Sequence, residues 1–160
     1  MIDWVIMGRC VPAWRGLAAV AAIFLAARCG PVAQKLAIEQ KIYATRDWQS
    51  TGLQVHRGDT IAVSAQGTWL YTPGEYHGPE GHARYPAPSA YPFPGAPGGV
   101  LLARFGNGDT DHPIVIGRNI TMVQVNWDGE LAFRINDDYL ADNDGFVLVS
   151  VSIYKGIGPR

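Results

Sequence analysis

The sequence predicts an all-β fold, a β-sandwich behind a short N-terminal leader. Three observations carry that reading. The first is alternation near the C-terminus. Leu131, Phe133 and Ile135 point one way and Glu130, Ala132, Arg134 and Asn136 the other. Val147, Val149, Val151 and Ile153 then alternate with Leu148, Ser150, Ser152 and Tyr154. Period two over so many positions marks half-buried strands. The second is that no helical period and no internal repeat appears after the leader. The third is the spacing of short apolar runs between glycine turns, about eight of them, as in a sandwich.

The elements follow in order. Arg9 and Arg15 precede Leu17–Ala27, an apolar run of eleven residues. That is short for a membrane span and suits the core of a secretory signal. A buried helix is the alternative, but nothing downstream offers it a helical partner. The segment Ala26-Ala27-Arg28-Cys29-Gly30 resembles a degraded lipidation site with Cys29 as the acylated residue; Arg28 departs from the small residue expected there. Ordinary cleavage between Cys29 and Ala33 is the other option, and Met7 is an alternative start. The leader is read as residues 1–33 and the single β-sandwich domain as 34–160.

Pro31–Ala37 is a linker. Strands are expected at Ile38–Ala44, Trp48–Val55 and Thr60–Trp69, with a turn at His56-Arg57-Gly58-Asp59. Thr72–Gly99 holds seven of the eleven prolines and six glycines, so it is excluded from helix and central strand. An irregular segment of that length is usually functional or disordered. Strands resume at Val100–Phe105, Pro113–Ile116, Asn119–Val125, Glu130–Asn136 and Phe146–Tyr154.

Composition narrows the function. Both cysteines, Cys10 and Cys29, lie in the leader, so the domain stands on its sheet core without disulfides. Taking Arg9, Arg15 and Arg28 from the 13 basic residues and Asp3 from the 14 acidic ones leaves 10 and 13, a formal charge of −3. No Lys/Arg run tracks a phosphate backbone, so nucleic acid is not an expected partner. Catalysis has little support. There is no nucleophile elbow, phosphate-binding glycine loop or His-Glu-x-x-His. The carboxylates that exist are clustered on one turn, which does not let a pair straddle a glycosidic bond.

The chemistry concentrates at Asn136–Asp144. Asp137, Asp138, Asp142 and Asp144 repel one another there unless water, a cation or a positive ligand intervenes. A solvated turn is the bland reading, since Asp and Asn form turns readily. An EF-hand is excluded, because aligning Asp142, Asp144 and Gly145 to it puts Leu140 first and Val151 twelfth. His77 and His82, five apart, lack the further ligands that zinc needs at set spacing, so the expectation is a surface role near a sugar pocket. Trp48, Trp69 and Trp127 read as core or rim packing, whereas Tyr76, Tyr85, Tyr91 and Phe93 are harder to bury.

A strand ending Ile135-Asn136-Asp137, an acidic loop closing on Asp142-Asn143-Asp144-Gly145, and upstream Gly58-Asp59-Thr60-Ile61, Gly67-Thr68-Trp69-Leu70-Tyr71, Gly78-Pro79-Glu80-Gly81 and Leu101–Gly106 stand in a characteristic order. Together they resemble the bacterial calcium-dependent galactophilic lectins of the LecA (PA-IL) type, over Ala37 to Tyr154. The resemblance implies a galactose-binding-domain-like jelly roll and a Ca2+ ion shared between protein and sugar. By position, the metal ligands it implies are the Tyr71 carbonyl, Asp137, Asp142 and Asn143. The sugar contacts are Asp137, Asn143, Tyr85 and His82. Two departures stand out. The acidic loop is about two residues shorter, which leaves the carbonyl ligand from Tyr139–Ala141 unplaced. The family's sugar-contacting His and Gln fall near Tyr85 and Pro88.

The leading expectation is therefore an exported, periplasmic, cell-envelope or secreted glycan-binding domain that breaks no bond. A calcium-stiffened structural or interaction module of the envelope is the second reading, and an accessory subunit of a glycan-active enzyme the third. An oligomer is compatible with each, and membrane contact is expected only through Cys29.

Overall fold

The computed structural model describes residues 35–72, 74–106 and 113–155. The expected leader, residues 1–33 with Cys29, lies outside the described residues. Among the described residues eleven strands are formed: β1 (Lys35–Tyr43), β2 (Gln49–Val55), β3 (Thr60–Thr72), β4 (Glu75–His77), β5 (His82–Pro86), β6 (Pro97–Gly98), β7 (Leu101–Phe105), β8 (Ile114–Val115), β9 (Asn119–Gln124), β10 (Gly129–Ile135) and β11 (Asp144–Tyr154). All described pairings are antiparallel.

The first sheet runs β1-β11-β3, with β9 and β4 sharing the far side of β3. The long alternating strand β11 organises it. Val149, Val151 and Ile153 face Ala65, Val63 and Ile61 on β3, and Val147 and Val151 face Ile42 and Ile38 on β1. The second sheet runs β2-β10-β7-β8. Leu131, Phe133 and Ile135 there oppose Phe105, Ala103 and Leu101. The inward side chains of both sheets form one cluster that includes Trp69, Phe133, Ile61, Leu131 and Val149, all fully buried. Each such side chain contributes roughly 1.5–3 kcal/mol of transfer free energy.

The outer face of the second sheet is also covered. Leu102, Val100 and Ala96 form a smaller cluster with Trp48 and Phe93. The guanidinium groups of Arg104 and Arg134 lie 4.7 and 5.7 Å from the Trp48 ring. Phe93 is thus packed, and Tyr91 packs against the main core. That corrects the expectation that the aromatics of the proline-rich segment resist burial; Tyr76 and Tyr85 alone of the four stay largely exposed.

The proline-rich segment is tied down rather than loose. It contains β4, β5 and β6, and Asn136 fixes it to the end of β10. The Asn136 side chain accepts from Phe93 N (3.0 Å) and donates to the carbonyls of Phe93 (3.0 Å) and Pro97 (3.2 Å). Its backbone N donates to Val100 O and its carbonyl accepts from Gly99 N. The Trp69 indole donates to Gly99 O at 3.0 Å. Gly98 and Gly99 lie on the Tyr71 side chain so closely that a Cβ at either would overlap it, and Gly99 has φ +71°. Only glycine allows that approach.

Candidate functional site

The acidic loop leaves β10 at Asn136, makes a short 3-10 turn at Leu140–Asp142, and enters β11 at Asp144. Two of its side chains turn inward: Asp137 is 4% exposed and Asn143 6%. Local bonds hold them. Arg134 Nη2 donates to Asp137 O at 2.7 Å. Tyr139 N donates to Asp137 Oδ1 at 3.3 Å, and Asn143 Nδ2 to Asp137 Oδ2 at 2.7 Å and Ala44 O at 3.3 Å. Asn143 Oδ1 is buried and accepts no hydrogen bond among the described residues.

Burial raises the Asp137 carboxyl above the usual range; the bonds from Asn143 and Tyr139 lower it, and the charges of Asp142 and Asp138 raise it further. A buried carboxylate, an orphaned amide oxygen and two neighbouring acids make a local excess of negative potential. Hard oxygens in this arrangement suit a calcium-class cation. Among the described residues no cationic side chain forms a salt bridge with the Asp137 carboxylate.

The four residues expected to hold a metal fall as follows. Asp137 and Asn143 are in contact. Asp142 is exposed but close enough to act on Asp137 electrostatically. Tyr71 sits where strand pairing breaks down. Pairing with β11 ends at Leu70↔Asp144, and the register with β4 slips between Leu70 and Thr72. A residue at such a slip falls out of the regular pairing register.

Tyr71 also links the loop to the residues expected to contact sugar. Its hydroxyl lies 3.0 Å from that of Tyr91, and its ring centroid is 6.4 Å from the Tyr85 ring. Burial, the largest cause, pushes the Tyr71 and Tyr91 hydroxyls above the ordinary phenol range; Asp137 raises both further. Both therefore stay protonated. His82 stacks on Tyr85 at 6.3 Å and on His77 at 4.7 Å. Pro88 is exposed.

Two outcomes differ from the sequence reading. The His77 side chain is only 16% exposed, so it is not a surface group, and Glu75 Oε2 lies 3.3 Å from its Nε2. In addition, a cleft of about 460 Å³ opens against Asp137 and Asp138, walled by Trp48, Ala90, Pro92, Pro113 and Arg134. Neither has a local signal in the order of residues. The cleft depends on chain segments brought together from far apart, and the His77 environment on the turn that returns His82 beside β4.

The sequence profile of the PA-IL-like proteins matches residues 40–156. The chain belongs to the PA-IL-like family. Among solved structures, the N-terminal domain of EclA, a PllA-like lectin, shares the fold with TM-score 0.52 and 23% identity over 72% of this chain and 93% of that one. A comparison with curated proteins finds no match. Family membership makes this a lectin-like, carbohydrate-binding domain and not an enzyme.

Proposed function

We propose that the chain is a calcium-dependent lectin domain that acts outside the cytoplasm. The observation that carries the proposal is the buried, unpartnered Asn143 Oδ1 beside the Asp137 carboxylate. Folded proteins rarely leave a buried polar atom unsatisfied, and doing so costs roughly 1–3 kcal/mol. A bound cation would satisfy that atom and offset the repulsion around Asp137.

On this reading Asp137, Asp142, Asn143 and the Tyr71 carbonyl would hold Ca2+, and the ion would supply an electrophilic anchor for two vicinal sugar hydroxyls. The protein's own residues do the remainder. Tyr85 and His82 present ring faces and polar edges toward the glycan. The paired Tyr71 and Tyr91 hydroxyls, held protonated, fix the floor beneath them. With Pro88 in place of a hydrogen-bonding side chain, the sugar is read by fewer directed bonds than in a galactose-specific site.

Export belongs to the same proposal and rests on Arg9, Arg15 and the apolar run Leu17–Ala27. N-terminal sequencing of the envelope fraction should begin between Cys29 and Gln34. An intact Met1 or Met7 terminus on cytoplasmic protein overturns export, and release from membranes by Cys29→Ser would establish the lipid anchor.

A glycan array run with calcium and again with a chelator tests the lectin proposal. Binding that the chelator abolishes is the expected result. Calcium stabilisation with no glycan bound would favour the structural module instead.

A further inference from the structure

We infer that Glu75, His77 and His82 form a second metal site, for a zinc-class transition ion, separate from the acidic loop. The chain builds it with one turn. Glu75 and His77 are two apart on β4, so their side chains share a face. The turn Gly78–Gly81, closed by Gly81 N donating to Gly78 O at 3.0 Å, returns the chain so that His82 opens β5 beside them. Gly81 makes the return feasible: its φ is +70°, and a Cβ there would meet Val100 N at 2.5 Å. One ligand atom from each of the three side chains then lies within 4.8 Å of the others.

The donor set identifies the ion. Two imidazoles and a carboxylate are the protein ligands of many open zinc sites, whereas calcium takes oxygen ligands. Bonds of about 2.0–2.2 Å in a tetrahedron place ligand atoms roughly 3.4 Å apart. The cluster must therefore contract by up to about 1.4 Å and the stacked rings, 25° apart, must open. Glu75 is free to move, being 60% exposed, and His82 is half-buried. His77 is the fixed ligand, held edge-on against the Tyr71 ring at 5.8 Å. Its Nε2 is buried and, although 3.3 Å from Glu75 Oε2, is not aligned for a hydrogen bond. An ion gives that nitrogen its partner. It also clamps β4 to β5 and orients His82, on which Tyr85 stacks.

Calorimetry on the untagged full chain, with Cys10 and Cys29 replaced by serine to remove competing thiols, tests the inference. Titration with Zn2+ alone should show one site of micromolar affinity or tighter. Excess Ca2+ and Asp137→Asn should leave it unchanged. Glu75→Gln and His82→Ala, both at accessible positions, should each weaken it by more than the ~10–100-fold that outer-shell changes typically cost. Co2+ should give the strong visible bands of a tetrahedral site in the parent and lose them in either variant. Absence of binding at ~100 μM Zn2+, binding retained in the Glu75→Gln/His82→Ala double variant, or binding lost in Asp137→Asn would each overturn the assignment; the last would move the ion to the acidic loop.

Discussion

Two carboxylates are buried at opposite ends of this sandwich, each 4% exposed, and their surroundings differ in kind. Asp59 precedes β3 and meets Lys155, which follows β11. Their ion pair is 2.8 Å long, with side chains 5% and 12% exposed, and His56 N donates to the same carboxylate oxygen. Asp137 lies at the other end, near the start of β11, and its donors are an amide and a backbone N–H. One end carries its own cation. The other holds its carboxylate with neutral donors and has two more acids nearby, while Arg134 donates to the Asp137 backbone carbonyl and not to the carboxylate. A buried charge closed by a covalently supplied partner is structure; one left open is an invitation to a mobile cation, and the calcium proposal rests on that difference.

The largest effect should come from breaking the closed end. Lys155→Met removes the ammonium that faces the buried Asp59 and should cost about 3–5 kcal/mol, read from urea unfolding. The double change Asp59→Asn/Lys155→Met should recover most of it. A loss below about 1 kcal/mol would show that water reaches Asp59 and that the two ends are alike.

Calcium should act on the open end alone. Binding only the native state stabilises by about 2.7 kcal/mol at a hundredfold excess over Kd, so Tm should rise. Asp137→Asn should abolish the rise, while Lys155→Met, although less stable, should keep it. A rise that survives Asp137→Asn would place the ion elsewhere.

The same residue gives a smaller, signed pH effect. Burial raises the folded pKa of Asp137 above its unfolded value. Between those two values the native state binds more protons than the unfolded state. Calcium-free stability should therefore fall as pH rises from the ordinary carboxylate value through the raised one. Asp137→Asn should flatten that slope and make the calcium-free protein more stable at neutral pH. Saturating calcium should reverse the slope, since the ion requires the ionised form. Parallel pH profiles for parent and variant would remove Asp137 from the argument.

How much of this was legible beforehand depends on range. Strands β3, β10 and β11 were readable because one buried face imposes period two on the residues themselves. Asp137 and Asn143 were readable from motif order, and they do meet. The order of Thr72–Gly99 was not readable. It comes from Asn136, Trp69 and the Gly98–Gly99 approach to Tyr71, contacts that join segments about 30 or more residues apart and leave no local pattern. Glu75 was missed for a different reason, a short-range one. Alone it is a polar residue before a turn, and only the return at Gly81 shows it beside two imidazoles. The segment expected to be a leader, with its expected cleavage site, lies outside the described residues.

The smallest effect decides which flank of Asp137 receives the sugar. Tyr85, 41% exposed, stands with His82 on one flank, where the family resemblance places the pocket. The cleft walled by Trp48, Pro92, Arg134 and the exposed Asp138 opens against the same carboxylate. Removing one directed hydrogen bond or ring contact costs about 0.5–1.5 kcal/mol, and tenfold in affinity is about 1.4 kcal/mol. Tyr85→Ala should thus weaken glycan binding by roughly three- to tenfold and leave the calcium-induced Tm shift unchanged. Asp138→Ala, at an exposed position, is the matched control and should leave affinity within about twofold, as an exposed charge contributes little. The reverse ranking would move the sugar into the Trp48 cleft, with Arg134 as its hydrogen-bonding wall. The metal reading would survive that result because Asp137 lines that cleft. The roles given to Tyr85 and His82 would not.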